Sequence, residues 1–478
     1  MTVTVTEQDA WRFTASAATR GSVLTTPMFR SWFGGLQRRG GSLVEQIPFG
    51  ELRSWSFDED WGDLRHATGR FFTIEGIEVT AETGSRSTWT QPIIKQTEIG
   101  ILGILVKEID GVLHCLMQAK VEPGNRPLVQ LSPTVQATRS NYTRAHSGDS
   151  TRYLEYFLDH RKGRVLVDVL QSEQGAWFLH KRNRNMVVEA VDDVPVLDGF
   201  RWLTIYQLKE LIRQDLTVNM DARTVLSCMS FVDPDVVASR PVPDDPSYRD
   251  PAFRYALARS IAGDGFALHS VGEITSWLIE AKARRDLSVR KIPLRSVSGW
   301  RHTDWDIRHE TGRFFRVLAV SVRAPRREVA SWTQPMIEPC GQGLVALLTR
   351  KIEGVLHVLV QARTEPGYLD VAEIGPTVQA TPDNYLGPHQ IPRPPYFDYV
   401  LGVSPHRIRY DVIQSDEGGR FYHSGARHLV IEVDEHFPIK TTEDYRWLTV
   451  HQMMGLLRHS HYFNLQARSL LACLHTLW

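Results

Sequence analysis

Cysteine is scarce in this 478-residue sequence, and neither sign of charge is in excess. Four cysteines cannot build a disulfide framework, and no CxxC or Cys/His cluster predicts a structural zinc site. Lys+Arg and Asp+Glu each count 55, so the formal net charge is zero. A neutral chain argues against a partner held mainly by a polyelectrolyte field, such as nucleic acid or an anionic membrane.

The sequence also lacks a long apolar run and the common cofactor motifs. Its longest run, IGILGILV, is far shorter than the ~20 residues of a spanning helix, and the N-terminus has no signal-peptide pattern. There is no GxGxxG after a strand, no P-loop, no HExxH and no GxSxG. We therefore expect a cytoplasmic globular protein that uses no metal and no cofactor.

The sequence does contain a long internal repeat. Strings of four to six residues recur at an offset of 243 residues, which becomes 245 near the end of each copy. The recurring strings include TGRFF (68–72 and 311–315), WTQP (89–92 and 332–335), PTVQAT (133–138 and 376–381) and RWLT (201–204 and 446–449). This pattern predicts one module duplicated in tandem, at 28–231 and 273–478, with a Pro/Asp-rich linker and connecting helix at 232–272.

Each copy has the pattern of an α+β module. Two apolar runs flank Asp110-Gly111, a dipeptide that favours a tight hairpin turn. The segments RVLVDVLQS, AWFLH and MVVEAV read as further strands. Thr204 and Gln207 have the spacing of a capping box, and a second helix is predicted at about 219–230. The module is therefore predicted to be a mixed β-sheet with flanking helices.

Polar residues shared by the two copies are the first candidates for a binding site. They lie in a loop rich in short donors and aromatic faces, which suits a nucleotide or sugar, although a satisfied turn network is the alternative. The loop candidates are Gln136, Asn141, Tyr142, Thr143, His146, Ser147, Tyr153 and Tyr156 in the first copy, and Gln379, Asp383, Asn384, Tyr385 and His389 in the second.

A second candidate region follows the RVLVDVLQS strand. Gln171, Ser172 and Glu173, with Gln414 and Ser415 in the second copy, are predicted to open onto a cleft. Lys181, Arg182, Asn183 and Arg184 form a cationic cluster that suits a diphosphate, or else a solvated hairpin tip. Trp61 and Trp305 could stack on a pyrimidine base or pack the edge of each module.

The strings GRFF, WTQPII, EPGN, SPTVQATRSNYT, LQSEQGAWF and KRNRNM resemble the NDP-hexose 2,3-dehydratases of deoxysugar biosynthesis in antibiotic-producing actinobacteria, over nearly the whole chain. The resemblance implies tandem Nudix-like modules in a homodimer, each with a nucleotide-sugar pocket. It implies a dTDP-linked 4-keto-6-deoxyglucose substrate and loss of water across C2–C3. The 3,4-diketo-2,6-dideoxy product would pass to a separate 3-ketoreductase.

Such an elimination needs a base, an acid and a donor to the ketone oxygen, but no hydride carrier. The candidate acid–base residues are His146, Tyr153, Tyr156 and Glu173, with Ser172 or Gln171 as a donor. The first copy is expected to be catalytic, because the second has HSGARHLVIE in place of HKRNRNMVVE. Two alternatives remain: a non-catalytic nucleotide-sugar-binding protein, and a nucleotide-sugar pyrophosphatase, which the missing Nudix box REXXEEXG disfavours.

Overall fold

The computed structural model describes residues 7–21, 23–38, 41–82, 86–138, 151–229, 250–263, 265–324, 329–385 and 391–478. The first copy consists, in chain order, of α1 (Glu7–Ala18), α2 (Thr26–Arg38), β1 (Leu43–Ile47), β2 (Trp55–Phe57), β3 (Leu64–His66), β4 (Thr73–Glu82), β5 (Arg86–Lys95), β6 (Gly100–Ile109), β7 (Val112–Val121), β8 (Val129–Ser132), β9 (Val135–Ala137), α3 (Glu155–Leu158), β10 (Gly163–Ser172), β11 (Phe178–Leu179), β12 (Arg182–Ala190), β13 (Phe200–Thr204), α4 (Ile205–Ile212) and α5 (Met220–Leu226).

The second copy repeats this order, except that an isolated bridge at Phe421 takes the place of β11. It consists of α6 (Pro251–Ala262), α7 (Val271–Ala283), β14 (Asp286–Ile292), β15 (Trp300–His302), β16 (Asp306–His309), β17 (Phe315–Arg323), β18 (Ser331–Pro339), β19 (Gly343–Ile352), β20 (Val355–Arg363), β21 (Glu373–Pro376), β22 (Val378–Ala380), α8 (Phe397–Leu401), β23 (Ile408–Ser415), β24 (Gly425–Glu432), β25 (Tyr445–Thr449), α9 (Val450–Leu457) and α10 (Leu465–His475). None of the helices within the described ranges is long and apolar enough to cross a membrane.

Each copy contains a seven-stranded mixed sheet, and the strand order is the same in both. The first sheet runs β10-β12-β6-β7-β13, with β9 on β6 and β8 on β7. The second runs β23-β24-β19-β20-β25, with β22 on β19 and β21 on β20. The pairs β12–β6 and β24–β19 are parallel, whereas the other pairs are antiparallel. The predicted α+β class and the shared strand order of the two copies are therefore confirmed.

Local signals in the sequence locate several turns and caps correctly. Asp110 and Gly111 have φ of 51° and 75°, as the two-residue turn between β6 and β7 requires. The Thr204–Gln207 capping box begins α4, as predicted. The next helix, α5, is shorter than the predicted 219–230 and begins after Asn219, whose side chain accepts from the Ala222 N–H.

The repeat extends to a pair of helices that precedes each module. The Ser16 hydroxyl on α1 donates to the Leu113 carbonyl at 2.5 Å and accepts from the Ile205 N–H at 2.9 Å. Ser260 on α6 makes the same two contacts, at 2.5 and 2.8 Å, in the second copy. The segment predicted as a linker and connecting helix thus includes α6, a helix of the second copy itself, while 230–249 lie outside the described residues.

The two copies exchange their first strands. Strand β1 of the first copy pairs antiparallel with β17 of the second, and β14 of the second pairs antiparallel with β4 of the first. The exchanged strand β14 is held by charge as well, because Lys291 lies 2.7 Å from Asp63 and 3.1 Å from Glu75. Neither copy therefore completes its smaller sheet alone: β14 joins β11-β5-β4-β3-β2, and β1 joins β15 to β18.

A tight glycine contact seals each copy against the other. The Gly124 N–H donates to the Gly418 carbonyl at 2.7 Å, and the Gly367 N–H donates to the Gly175 carbonyl at 2.7 Å. A Cβ added at Gly124 would lie 1.7 Å from the Phe421 carbonyl oxygen. These EPG turns thus need glycine because the opposite backbone occupies the space of a side chain.

We expect Gly124→Ala to lower the free energy of unfolding by about 3 kcal/mol, because the backbone of the other copy must shift to admit the methyl group. Gly50→Ala is the matched control, since a Cβ there would meet nothing within 4 Å. Urea unfolding of both variants measures the difference. Equal stability of the two variants would contradict the close approach.

Candidate functional site

A cleft of about 380 Å³ lies at one end of the first copy's mixed sheet and is closed by the second copy. From the first copy it is lined by aromatic and polar side chains, including Trp55, Phe71, Phe72, Phe178, Lys120, Glu122, Gln136, Glu173, Lys181, Asn183 and Asp221. From the second copy it is lined by Trp332, Thr333, Gln334, Glu417, Gly419 and Arg420, among others. The size and the mixed lining suit an organic ligand with a charged portion.

The polar wall of the cleft is built where β10 ends and β12 begins. The Glu173 N–H donates to the Lys181 carbonyl at 3.0 Å, which continues the β10–β12 pairing by one step. The Asn183 amide donates to one carboxylate oxygen of Glu173 at 2.6 Å, and its own oxygen accepts from the Gly100 N–H at 3.1 Å. The other carboxylate oxygen of Glu173 is buried with no hydrogen-bond partner.

Three carboxyl groups in the cleft resist ionisation. Burial raises the pKa of Glu173, although the charges of Arg468 and Lys181 and the Asn183 hydrogen bond oppose this shift. Burial, reinforced by the charges of Glu173, Glu122 and Glu417, raises the pKa of Asp221 well above its usual range. Burial also raises the pKa of Glu417 to about 7. Burial therefore favours the protonated form of all three groups, and Glu417 can take up or release a proton near neutral pH.

A buried amine stands beside these carboxyl groups. Burial lowers the pKa of Lys181 to about 8, while the charge of Glu173 acts in the opposite direction. The ammonium group donates to the Glu98 carbonyl. Lys120 and Arg420 add two more cations to the lining. The cleft thus combines proton donors, a proton acceptor and positive charge, the set of groups that acid–base chemistry on an anionic ligand requires.

This polar lining is repeated only in part in the second copy, where Glu365 and Gln379 match Glu122 and Gln136 but other residues differ. Glu173, Lys181, Asn183 and Asp221 correspond by offset to Asp416, Ser424, Ala426 and Gln466. Tyr368 stands where the first copy has Asn125 and packs against Gly175, with its hydroxyl accepting from Asn464 at 3.1 Å. The second copy therefore lacks counterparts of Lys181 and Asn183. Tyr368, only 3% exposed, occupies space beside the matching site of the second copy.

The Gln-Ser dipeptides predicted to open onto a cleft lie instead at the interface between the two copies. Gln171 donates to the Leu457 carbonyl at 3.0 Å, and Ser172 donates to Glu373 at 2.6 Å. Gln414 and Ser415 mirror them, donating to the Ile212 carbonyl and to Gln130 at 2.6 Å each. These residues are kept in both copies because the interface repeats the same contacts twice.

The cationic cluster lies at the start of strand β12, not at a hairpin tip. Alternation along the strand brings Lys181 and Asn183 to the cleft lining, whereas Arg182 and Arg184 are not part of it. Arg184 makes a two-pronged ion pair with Asp168, at 2.6 and 2.5 Å. Arg427 makes the same pair with Asp411 in the second copy. Only half of the predicted diphosphate cluster is therefore available to a ligand in the cleft.

The predicted aromatic candidates also lie away from the cleft. The Tyr153 hydroxyl donates to the Pro195 carbonyl at 2.7 Å and accepts from the Leu197 N–H at 2.8 Å, which fixes it in the core. Tyr156 packs beside it. Trp61 and Trp305 are 39% and 51% exposed at the edges of the modules. Trp61 packs under the Lys291 ammonium group, 5.0 Å from the ring centre.

The remaining loop candidates divide between described and undescribed residues. Gln136 lines the cleft and donates to Glu122 at 2.7 Å, as its counterpart Gln379 does to Glu365 at 2.8 Å. The 382–385 turn is tied to the TGRFF turn of the second copy, because the oxygen of the Asn384 side chain accepts from the Phe314 N–H at 3.0 Å. This turn contains Asp383 and Tyr385, and Tyr385 packs on Phe397. Asn141, Tyr142, Thr143, His146, Ser147 and His389 lie outside the described residues.

The sequence patterns did not predict five charged residues of the cleft: Lys120, Glu122, Asp221, Glu417 and Arg420. A signal was present in three of them. Asp221 differs from its counterpart Gln466, Arg420 from Trp177, and Glu417 from Gln174. These three differ between the copies, whereas Glu122 and Gln136 of the same cleft are kept as Glu365 and Gln379. Within the described parts of the chain, no three His, Cys, Asp or Glu side chains are grouped so that they could hold a metal ion.

Glu373→Gln tests the burial of the interface. Burial raises the pKa of Glu373 to about 7. The free energy of unfolding therefore falls as pH rises from about 4.5 towards 7, because the unfolded chain ionises this group first. We expect the variant to gain roughly 2–3 kcal/mol relative to the parent protein between pH 5 and pH 8. Gln130, its counterpart, already accepts from Ser415, so glutamine fits such a site. Urea unfolding at both pH values provides the comparison, and a difference independent of pH would contradict the raised pKa.

Comparison with known proteins confirms the resemblance seen in the repeated strings. The family described as NDP-hexose 2,3-dehydratase matches residues 26–229 and again 271–474. Relatives named dTDP-4-dehydro-6-deoxy-alpha-D-glucopyranose 2,3-dehydratase include one from Saccharopolyspora spinosa, 52% identical across 98% of this chain and 95% of its own. Another, from Amycolatopsis orientalis, is 48% identical across 96% and 92%, and one from Streptomyces violaceoruber is 44% identical across 95% and 98%. Since both the duplicated profile and these full-length relatives agree, the chain belongs to the NDP-hexose 2,3-dehydratase family.

Proposed function

We propose that this protein removes water across C2–C3 of dTDP-4-keto-6-deoxy-D-glucose and forms a dTDP-3,4-diketo-2,6-dideoxyhexose, the reaction for which its relatives are named. The observation that supports it best is the pair Glu173 and Asp221 in one cleft. Their surroundings differ in charge, and acid–base pairs in enzymes are recognised by environments that separate their pKa values.

Glu173 is the proposed base. Its carboxylate has two cations nearby, Arg468 and Lys181, and both favour its ionised form. The C4 ketone of the substrate acidifies the C3 proton. Glu173 takes that proton on the oxygen that has no hydrogen-bond partner, and the electron pair moves onto O4 as an enolate. Lys181 in the same wall supplies positive charge to the developing oxyanion.

Asp221 is the proposed acid. Burial and the charges of three neighbouring carboxyl groups raise its pKa, which favours the protonated form that can donate to the C2 hydroxyl as that group leaves. The enolate electrons form the C2=C3 double bond as water departs. The resulting enol then takes a proton at C2 and gives up the proton of its O3 hydroxyl, which yields the 3,4-diketone. Every step is a proton transfer or an elimination, so no hydride carrier and no metal enters the balance.

The rest of the cleft suits the nucleotide portion. Lys120 and Arg420 supply positive charge for a diphosphate, while Trp332 and Phe71 offer aromatic faces to a thymine ring. We place the reacting sugar in the first copy, because Ser424 and Ala426 replace Lys181 and Asn183 at the matching site of the second copy. The second copy is then accessory, although it contributes one wall of the reacting cleft.

Incubation with dTDP-4-keto-6-deoxyglucose tests the function. Mass spectrometry is expected to show loss of one water from the nucleotide sugar, or maltol from decay of the diketo sugar, also after EDTA treatment and dialysis. Release of dTMP would instead indicate a nucleotide-sugar pyrophosphatase. Tight binding of dTDP without any turnover would indicate a binding protein.

The proposal extends to fold, assembly and pathway. The mixed sheets with flanking helices support a Nudix-like fold for each copy. The exposed Trp11 on α1 and Tyr255 on α6 offer apolar surface to a second chain, in keeping with a homodimer. We place the enzyme in the cytoplasm and in deoxysugar and antibiotic biosynthesis. Its diketo product is reactive, so a separate 3-ketoreductase would consume it.

A further inference from the structure

Arg468 of the second copy crosses the interface to the proposed base of the first. It lies on α10 and is 1% exposed. One of its terminal nitrogens donates to the Phe463 carbonyl at 2.6 Å, and the other donates to the Ser172 carbonyl at 2.5 Å. Ser172 immediately precedes Glu173. The guanidinium group therefore holds the backbone that carries the Glu173 side chain.

The structure contains a matched arginine at the other copy's site. Arg223 on α5 donates to the Val218 carbonyl at 2.5 Å and to the Ser415 carbonyl at 2.6 Å. Ser415 precedes Asp416, the counterpart of Glu173. The two arginines thus share burial and two of their contacts, and the charge of each acts on one carboxyl group of the other copy. They differ in what that carboxyl group faces, since only Glu173 lines the cleft.

We propose that Arg468 is a positioning residue through which the second copy orients Glu173 and places a positive charge beside it. The inference rests on the proposed role of Glu173 and goes beyond it. It gives a role in turnover to a copy that lacks the lysine and the amide at its own site. A guanidinium group is suited to this position because it remains charged when buried and donates several hydrogen bonds in fixed directions.

Other charged groups also face Glu173 and set the background for the test. Lys181 lies at the start of β12, Asp221 on α5 and Glu417 on the loop that the second copy contributes. Lys181 favours the ionised carboxylate, whereas Asp221 and Glu417 oppose it once they lose their protons. Among the groups that lower the pKa of Glu173, Arg468 has the largest effect, ahead of Lys181 and Asn183. Removal of the Arg468 charge is therefore expected to change the pH dependence of kcat/KM.

The test compares Arg468→Gln with Arg223→Gln. Both changes remove a buried cation and its carbonyl contacts, so both are expected to reduce stability. Only Arg468→Gln is expected to move the acidic limb of the kcat/KM profile, by about one pH unit to higher pH, because the base then needs a higher pH to ionise. Arg468→Lys, which keeps the charge, is expected to restore the limb. Equal shifts in both glutamine variants, or no shift in either, would overturn the proposal.

A second measurement applies where Arg468→Gln does not fold. Arg468→Lys is introduced into the parent protein and into Glu173→Gln. The proposal expects Arg468→Lys to lower turnover several-fold in the parent but not in Glu173→Gln, because Arg468 acts through Glu173. Equal loss in both backgrounds would overturn it. Full activity in Glu173→Gln alone would instead overturn the proposed role of Glu173, so the two failures are distinguishable.

Discussion

Glu173→Gln is expected to lower kcat by about 10²–10⁴-fold while leaving the fold intact. The amide keeps the shape of the carboxyl group and can still contact Asn183 through its oxygen. It cannot take the C3 proton of the sugar, however, and Arg468 is not among the charges that act most strongly on the pKa of Asp221 or of Glu417. KM is expected to change far less than kcat, because the proton is transferred only in the transition state.

Asp416→Asn is the matched control for this change. Asp416 occupies the corresponding position after β23, and burial likewise raises its pKa. It accepts from Ser424, where the first copy has Lys181, and it is not part of the cleft lining. We expect nearly unchanged turnover in Asp416→Asn, with circular dichroism of both variants to confirm folding. A large loss in Asp416→Asn with full activity in Glu173→Gln would move the chemistry to the second copy.

The second large effect is expected for Asp221→Asn. Asparagine keeps the size of the side chain and removes the proton that assists departure of the C2 hydroxyl, so we expect kcat to fall by about 10²–10³-fold. Stability is expected to remain equal or to rise, since a buried carboxyl group beside three others is replaced by a neutral amide. The second copy already carries a neutral Gln466 at this position of its helix.

The pH profile distinguishes a catalytic acid from a structural one. Activity of the parent protein is expected to fall at high pH as Asp221 loses its proton, because its raised pKa places that loss above the usual carboxyl range. In Asp221→Asn the small residual activity should no longer show this limb. Gln466→Ala serves as the control in the second copy and is expected to keep the parental profile. An unchanged basic limb in Asp221→Asn would remove Asp221 from the mechanism.

Polar residues shared by the two copies do not all face a ligand. Shared polar residues such as Gln171 and Gln414 were predicted to face a ligand, yet they bind the backbone of the opposite copy. A pseudo-twofold interface uses every contact twice, and so it preserves residues in pairs. A single reacting cleft can use a residue of one copy alone, and Asp221 and Arg420 differ from their counterparts.

The sequence by itself determined the duplication, the α+β class, the β6–β7 turn at Asp110 and the Thr204 cap, together with the family. These follow from repeated strings and from interactions between residues close together in the chain. Only the tertiary structure decided the exchange of β1 and β14 and the meeting of Glu173 with Glu417 and Arg468. Those contacts join residues hundreds of positions apart, and they depend on how two nearly identical surfaces pack, which no local pattern in the chain encodes.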